Sequence, residues 1–352
     1  MEDSQIIALK DVESSYTNKG KEQLYLKSIN LNVTAGEILA IIGRAGAGKS
    51  ALLRCIGLLD RPLTGIVSID NKNLTFMASK ELCAARRAIG YVTSKPNFLG
   101  SKNLFQNIAL PLQIQNKHKD DINKLVIQAL TKVGLDSKAT SYPSSLSSYQ
   151  IILADIARNL VNNPKILLCD DIFTLLDTKS SENLSNLLRA LQQELQLTIM
   201  ITTNDAELIK TLCQTAIVMQ QGRIVEKCSV YDLFTNPNSD IAKDFVRFAT
   251  KHELPSSLRR KIVTQDSPEH HAIVRISFID SLEPDEILGN TIDAYELKMN
   301  IIQAYQEKIL DKVINFMLIE VYGANSIVQD AIKFLNSNGL QSEIIGYVPN
   351  IN

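Results

Sequence analysis

The sequence predicts two joined folds, a large α/β domain on a parallel sheet and a smaller α+β domain after it. Three observations carry this. Ile38-Leu39-Ala40-Ile41-Ile42 is an all-apolar run of strand length that leads through a glycine-punctuated loop into helix-forming Ala51-Leu52-Leu53-Arg54-Cys55-Ile56. A second apolar run, Ile166-Leu167-Leu168-Cys169, ends in Asp170-Asp171 and suits a strand buried on both faces of a parallel sheet. Beyond residue 270 the pattern alternates as β-α-β-β-α-β, the ferredoxin-like series.

In chain order, residues 6–12 and 26–34 read as short strands flanking the polar turn Thr17-Asn18-Lys19-Gly20-Lys21. The run 38–42 is the first buried strand, and its helix continues to about Leu59. Arg61-Pro62-Leu63-Thr64-Gly65 is a turn, and Ile66-Val67-Ser68-Ile69-Asp70 alternates like a strand. Residues 80–88 read as helix and Ile89-Gly90-Tyr91-Val92 as strand. Residues 103–115 and 121–134 are helical, and Tyr142 to Gln150 is a polar lead-in to a helix at Ile151–Leu160, where serines suit N-caps. Then come a helix at 180–195, a strand at Thr198–Thr203, a hairpin over 216–226 and a helical tail at 229–250. The resulting domains are 1–250, with a helical part at about 95–160, a charged, proline-bearing linker at 251–270, and a small domain at 271–352. Its strands fall at 272–279, 301–309, 313–322 and 341–347 and its helices at 284–295 and 326–337, with Gly339 closing the second helix.

The chain has 352 residues and a formal net charge of -1, which suits two or three domains and argues against a nucleic-acid-coating protein. Its start, Met1-Glu2-Asp3-Ser4-Gln5, is not a signal peptide, and no apolar run approaches the ~20 residues of a membrane span. A soluble chain that can dock on a membrane partner is expected. Five scattered cysteines suggest reduced cytosolic thiols, mostly filling the core, and His270-His271 reads as linker rather than metal ligand.

The chemistry concentrates at Gly43-Arg44-Ala45-Gly46-Ala47-Gly48-Lys49-Ser50, which matches G-x-x-x-x-G-K-[ST] in the strand–loop–helix setting that pattern requires. Glycines let the backbone wrap an anion, and the following helix N-terminus, from Ala51 on, adds partial positive charge. Lys49 is expected to reach the β/γ-phosphates of ATP and the Ser50 hydroxyl to hold Mg²⁺. Asp170, at the C-terminal edge of a buried strand, is placed to coordinate Mg²⁺ and Asp171 to orient or deprotonate a water. Tyr16 is a candidate to stack on a base.

The first ~245 residues resemble an ABC-transporter ATPase subunit, most closely the ATP-binding subunits of bacterial methionine importers. The motifs that carry the likeness are Gly43 to Ser50, Arg54-Cys55, Ala109-Leu110-Pro111-Leu112, Tyr142-Pro143-Ser144, Leu167-Leu168-Cys169-Asp170 and Gly346-Tyr347-Val348. Asn300-Ile301-Ile302 stands where those subunits carry the Asn-Ile-Leu motif that names their tail domain. The resemblance implies a P-loop NTPase fold and a dimer that sandwiches each ATP between one subunit's phosphate loop and the other's signature motif. It further implies a membrane permease partner, residence on the inner face of the membrane, and a tail that binds L-methionine through the Asn300-Ile301 region to hold the dimer apart. The near-balanced charge, separately, leads to the expectation of no nucleic-acid partner.

The departures fall on closure and cleavage. Where the family has Leu-Ser-Gly-Gly-Gln this chain has Leu146-Ser147-Ser148-Tyr149-Gln150, and a tyrosine ring hinders close approach to a phosphate. Ser94 replaces the family glutamine that senses Mg²⁺ and permease. Asp171 replaces the catalytic glutamate, one methylene shorter. Asn204 replaces the switch histidine and cannot carry a proton at neutral pH. Tyr16, the phosphate loop, Asp170 and Asp177 of Leu175-Leu176-Asp177 are retained. Three functions follow from the sequence: a weakened but active importer ATPase; an ATP-binding subunit that hydrolyses poorly and acts as regulator or as the inert half of a heterodimer; or a soluble P-loop ATPase of repair or translation, against which the sensing tail and the lack of a long coiled coil or basic patch argue.

Overall fold

The all-apolar runs form the centre of a six-stranded sheet in a computed structural model that describes residues 5–18, 21–249, 258, 261–263, 265–267, 270–279 and 284–349. β3 (Ile38–Ile42) and β8 (Thr198–Thr202) are buried at every position. They pair in parallel, flanked by β9 (Thr215–Gln220) on one side and by β7 (Ile166–Asp170) and β6 (Ile89–Thr93) on the other. β10 (Arg223–Ser229) closes the far edge antiparallel to β9, giving the order β10-β9-β3-β8-β7-β6. Strands buried on both faces read as continuous hydrophobic sequence, so this layer is legible without periodicity.

α1 (Lys49–Ile56) packs on the sheet, with Leu52, Leu53, Cys55 and Ile56 buried against Leu39, Ile41, Leu168 and Met200. Leu52 and Leu53 each stabilise that packing by about 2 kcal/mol. A second sheet contributes to the same core, in the antiparallel order β2-β1-β4-β5, from β1 (Gln5–Asn18), β2 (Lys21–Thr34), β4 (Thr64–Ile69) and β5 (Lys72–Asn73). β1 and β2 are longer than the sequence indicates, because register shifts between Leu9 and Ser15 break their alternation. α2 (Ser79–Arg86) precedes β6. The helical part comprises α3 (Leu104–Ile114), α4 (Lys119–Lys132) and α5 (Ser148–Leu160), which pack on one another. α6 (Thr178–Leu195) and α7 (Ala206–Leu212) complete this unit.

The chain divides into two compact units after Ser229. The second contains α8 (Val230–Thr235), α9 (Asp240–Ala249), β11 (His270–Ile279), α10 (Pro284–Tyr295), β12 (Lys298–Ile309), β13 (Lys312–Tyr322), α11 (Asn325–Ser337) and β14 (Gln341–Pro349). Residues 230–249, expected as a tail of the first domain, therefore group with the second. The sheet runs β12-β13-β11-β14, all antiparallel, as the βαββαβ series requires. Ala272, Val274, Ile276 and Phe278 face Val328, Ala331 and Leu335 of α11. Gly339 has φ 88, the left-handed closure anticipated for that helix.

Most of the expected linker 251–270 lies outside the described residues. Its described parts pack on the other face of this sheet: Leu258 is buried with Ile273, Leu318 and Val348, and Val263 exchanges backbone hydrogen bonds with Tyr347 at 2.8 and 2.9 Å. His270 and His271 open β11 instead of lying in a linker, and His271 is buried, stacked on Tyr322 at 4.5 Å between centroids and 3.6 Å from Glu320. Among the described residues no helix is long and apolar enough to cross a membrane.

Candidate functional site

β3 delivers the chain into the loop 43–50, and α1 receives it. Gly43 is buried, and a Cβ there would lie 2.4 Å from the carbonyl oxygen of Met219. Gly48 is the N-cap of α1 with φ 105, a left-handed conformation that side chains resist. The loop therefore needs glycine at both ends to run tight against β9. Arg44, Ala45 and Gly46 face solvent, Ala47 turns in to accept the Gly222 N–H at 2.9 Å, and Ala51 is half-buried in the first turn. The first N–H groups of α1 have no intrahelical acceptor, which leaves a patch of donors at the loop.

Lys49 donates through Nζ to the carbonyl of Gly43 at 2.6 Å and to that of Arg44 at 3.4 Å. Burial lowers its pKa, opposed by the charges of Asp171 and Asp170. The Ser50 hydroxyl donates to Asp170 Oδ1 at 2.8 Å, and Thr202 donates to the same oxygen at 3.0 Å. Tyr91 donates to Oδ2 at 2.9 Å. Asp170 thus ends β7 with both oxygens engaged beside the serine at the start of α1.

Asp171 follows with φ 55, its N–H donating to Thr202 Oγ1 at 2.8 Å and its Oδ1 accepting from the Thr174 hydroxyl. Asn204 accepts the Gly43 N–H at 3.1 Å through Oδ1. A cavity of about 920 Å³ opens here, lined by Lys49, Asp171, Thr174, Thr202 and Asn204 among others. Ser94 is half-buried one residue beyond β6, at the same sheet edge, since Thr93 pairs with Asp170.

The signature residues form the start of α5. Ser147 is its N-cap: its hydroxyl accepts the Gln150 N–H at 3.2 Å, and Gln150 Oε1 accepts the Ser147 N–H at 3.0 Å. Ser148, Tyr149 and Gln150 make the first helical turn rather than a lead-in, and burial raises the Tyr149 phenol pKa. Asp177 caps α6 through the Ser180 N–H and hydroxyl, bonds that hold its carboxyl below the ordinary range. Tyr16 lies on β1 opposite Gln23, and its side chain falls outside the described residues. In the second unit Asn300 is exposed on the edge strand β12 opposite Glu320, and Ile301 is 63% exposed.

The structure thus brings together Gly43, Lys49, Ser50, Asp170, Asp171 and Asn204. Sequence reasoning missed three residues in contact with this group: Thr202, which bridges the two aspartates, Tyr91, and Thr174. Thr202 and Tyr91 carried a partial signal, a hydroxyl among the apolar residues of a strand, shared with Thr198 and Thr93 on the same strands. Among the described residues no cluster of three or more His, Cys, Asp or Glu is placed to hold a metal ion. Ser50 and Asp170 instead offer the hard oxygen donors of a site that shares its cation with phosphate.

The ABC transporter family pattern matches residues 26–174 and the NIL domain pattern residues 272–344. The chain is similar to the methionine import ATP-binding protein MetN of Coxiella burnetii, 39% identical over 97% of this chain and 98% of that one. It is similar to MetN of Aliivibrio fischeri, 33% identical over 97% and 100% of the two chains. Among solved structures, a dimeric ATP-binding cassette in a post-hydrolysis state with ADP and Pi matches 64% of this chain and 99% of its own, at 31% identity and a TM-score of 0.60. CbiO1 of Clostridium perfringens, part of the ABC transporter complex CbiONQ, matches 66% and 91% at 29% identity and a TM-score of 0.60.

Proposed function

This chain belongs to the methionine import ATP-binding proteins of the ABC transporter family, and from that premise we propose that it captures Mg-ATP readily and cleaves it slowly. It is the ATP-binding subunit of a methionine-type importer. The observation that carries the slow step is the pair Asp171–Asn204. One is a short carboxylate already accepting from Thr174, and the other is an amide that accepts from Gly43 and cannot ferry a proton.

Capture uses what is intact. Lys49 exchanges the Gly43 and Arg44 carbonyls for β- and γ-phosphate oxygens, and the N–H groups of the loop and α1 cradle the same phosphates. Ser50 and Asp170 are the residues that would hold Mg²⁺, which supplies charge neutralisation on the phosphates. Asp171 orients the attacking water, and Asn204 lends a hydrogen bond to the loop or the phosphate. Tyr16 stacks on the adenine. A second ATPase subunit offers its residues 147–150 to the nucleotide, and Tyr149 at that helix start slows closure. The dimer drives a membrane permease from the inner face of the membrane, and L-methionine acts at the Asn300–Ile301 edge of β12.

The test is equilibrium dialysis with labelled ATP beside steady-state phosphate release, with and without the permease. ATP uptake that needs Mg²⁺ and disappears in Lys49→Ala is expected. Turnover should lie about 10-fold or more below that of the Coxiella burnetii relative, on the ~1 Å shortfall at Asp171. Uptake indifferent to Lys49 would sink the ATP reading, and equal turnover would sink the slow step.

A further inference from the structure

We propose that Tyr91 is a positioning residue for the magnesium-binding carboxylate of Asp170, itself held in place by Asn159 of the helix that begins with the signature residues. The proposal rests on the reading of Asp170 as a magnesium ligand. Tyr91 precedes Thr93, the register partner of Asp170, by two residues on the adjacent strand. Its ring reaches diagonally along the sheet and its phenol donates to Oδ2 at 2.9 Å, while Ser50 and Thr202 both donate to Oδ1. Donors on both oxygens fix the rotation of the carboxylate. Without the phenol, Oδ2 would be left half-buried and free to turn away from the phosphate loop.

The backbone that carries the ring is held in turn from α5. The Asn159 carboxamide accepts the Tyr91 N–H at 2.9 Å and donates to the Tyr91 carbonyl at 3.2 Å, the two bonds a neighbouring strand would make. Four residues earlier on α5, Asp155 accepts the Thr93 N–H at 3.1 Å. Gly90 lets the helix approach this closely, since a Cβ there would be 3.1 Å from that of Asn159 and 2.8 Å from Leu167 Cδ1. Two polar contacts on one helix face therefore set the height of β6 and so the reach of Tyr91. The orientation of the signature helix is transmitted within one subunit to the metal carboxylate. Groups that bind metal ligands from outside commonly change metal affinity by about 10- to 100-fold when removed.

The experiment measures the Mg²⁺ concentration that half-saturates nucleotide binding in the full chain, with ATP affinity in excess chelator as reference. Tyr91→Phe keeps the ring and should raise the Mg²⁺ half-saturation about 10-fold, leaving metal-free ATP affinity within about twofold. The Mn²⁺ electron paramagnetic resonance signal of the Mn-ATP complex should broaden in the same variant. Asn159→Ser, too short to reach both backbone groups, should raise the half-saturation about threefold, and the double variant should not exceed Tyr91→Phe alone. A wild-type chain whose ATP uptake ignores Mg²⁺ removes the underlying reading. A wild type that needs Mg²⁺ beside a folded Tyr91→Phe with unchanged half-saturation removes the role of Tyr91. Multiplying effects in the double variant remove that of Asn159. Should Tyr91→Phe not fold, Tyr91→Met fills the same buried space without a donor and answers the same question.

Discussion

Lengthening Asp171 to glutamate tests whether the reach of one carboxylate limits cleavage. The Asp171 backbone is pinned: its N–H is held by Thr202 Oγ1 at 2.8 Å and its φ is 55. With the Cα fixed, side-chain length alone sets how far the carboxylate extends into the cavity. An added methylene advances it by about 1 Å, and a misplacement of that size costs about 10²-fold in rate. Two decades correspond to about 2.7 kcal/mol of barrier. Asn204 still withholds a proton carrier, so a gain of about 10- to 100-fold is the expected range. The same change has a structural cost. Aspartate tolerates the left-handed region through local hydrogen bonding, here from Thr174, and glutamate loses that, at about 1 kcal/mol. For a domain of this size such a loss lowers Tm by about 2–4 °C. The assay is phosphate release at saturating Mg-ATP beside a thermal scan. Faster turnover with a slightly lower Tm is the expected pair. A lower Tm with turnover unchanged would refute the reasoning, because the longer side chain would then be in place without effect.

Gly43→Ala should lower ATP affinity by about 10-fold or more in a fluorescent-nucleotide titration, because a Cβ 2.4 Å from the Met219 carbonyl forces the loop off its path. Asp155 is 1% exposed, and burial raises its pKa from 3.8 against the pull of Arg158 and the Thr93 N–H. A carboxyl with a raised folded pKa contributes most at acid pH and loses that contribution as pH climbs from its unfolded value through its folded one. Asp155→Asn should therefore gain on wild type in urea midpoints as pH climbs above the ordinary aspartate range, and a constant difference would count against it. Alkylation at pH 8 should label exposed Cys83 while sparing Cys55 and Cys213, whose thiols burial pushes up to about 12, as peptide mapping will show. L-Methionine should give a heat of binding to the full chain that Asn300→Ala diminishes, and no heat at millimolar ligand would remove the effector role.

What the sequence made legible follows from locality. The phosphate loop is a contiguous motif between two apolar elements, so its position could be read directly, as could β3, β7 and β8. Ser147 and Gln150 advertised a cap at a spacing of three residues, although the helix starts three residues earlier than its apolar face suggests. α7 escaped notice because Asn204, two residues before it, drew attention as a switch. Asp205 is its N-cap, accepting from the Glu207 and Leu208 N–H groups. The partners of Asp170 were hidden for a different reason. Tyr91 and Thr202 approach it from separate strands, 79 and 32 residues away in sequence, and only register brings them together. His271 looked like linker because a histidine pair carries no periodicity, whereas in the fold it lies in β11, stacked on Tyr322 and 3.6 Å from Glu320.

Asn159 also bears on the life of this protein in a crowded cell. β6 is the outermost strand of the main sheet, and such a margin ordinarily invites a stranger's strand to add itself. The asparagine amide takes up the main-chain groups of Tyr91 midway along that margin, and Asp155 takes the next outward one at Thr93. A shield two side chains wide guards this rim against accretion, and chains that lose it should clump as they leave the ribosome.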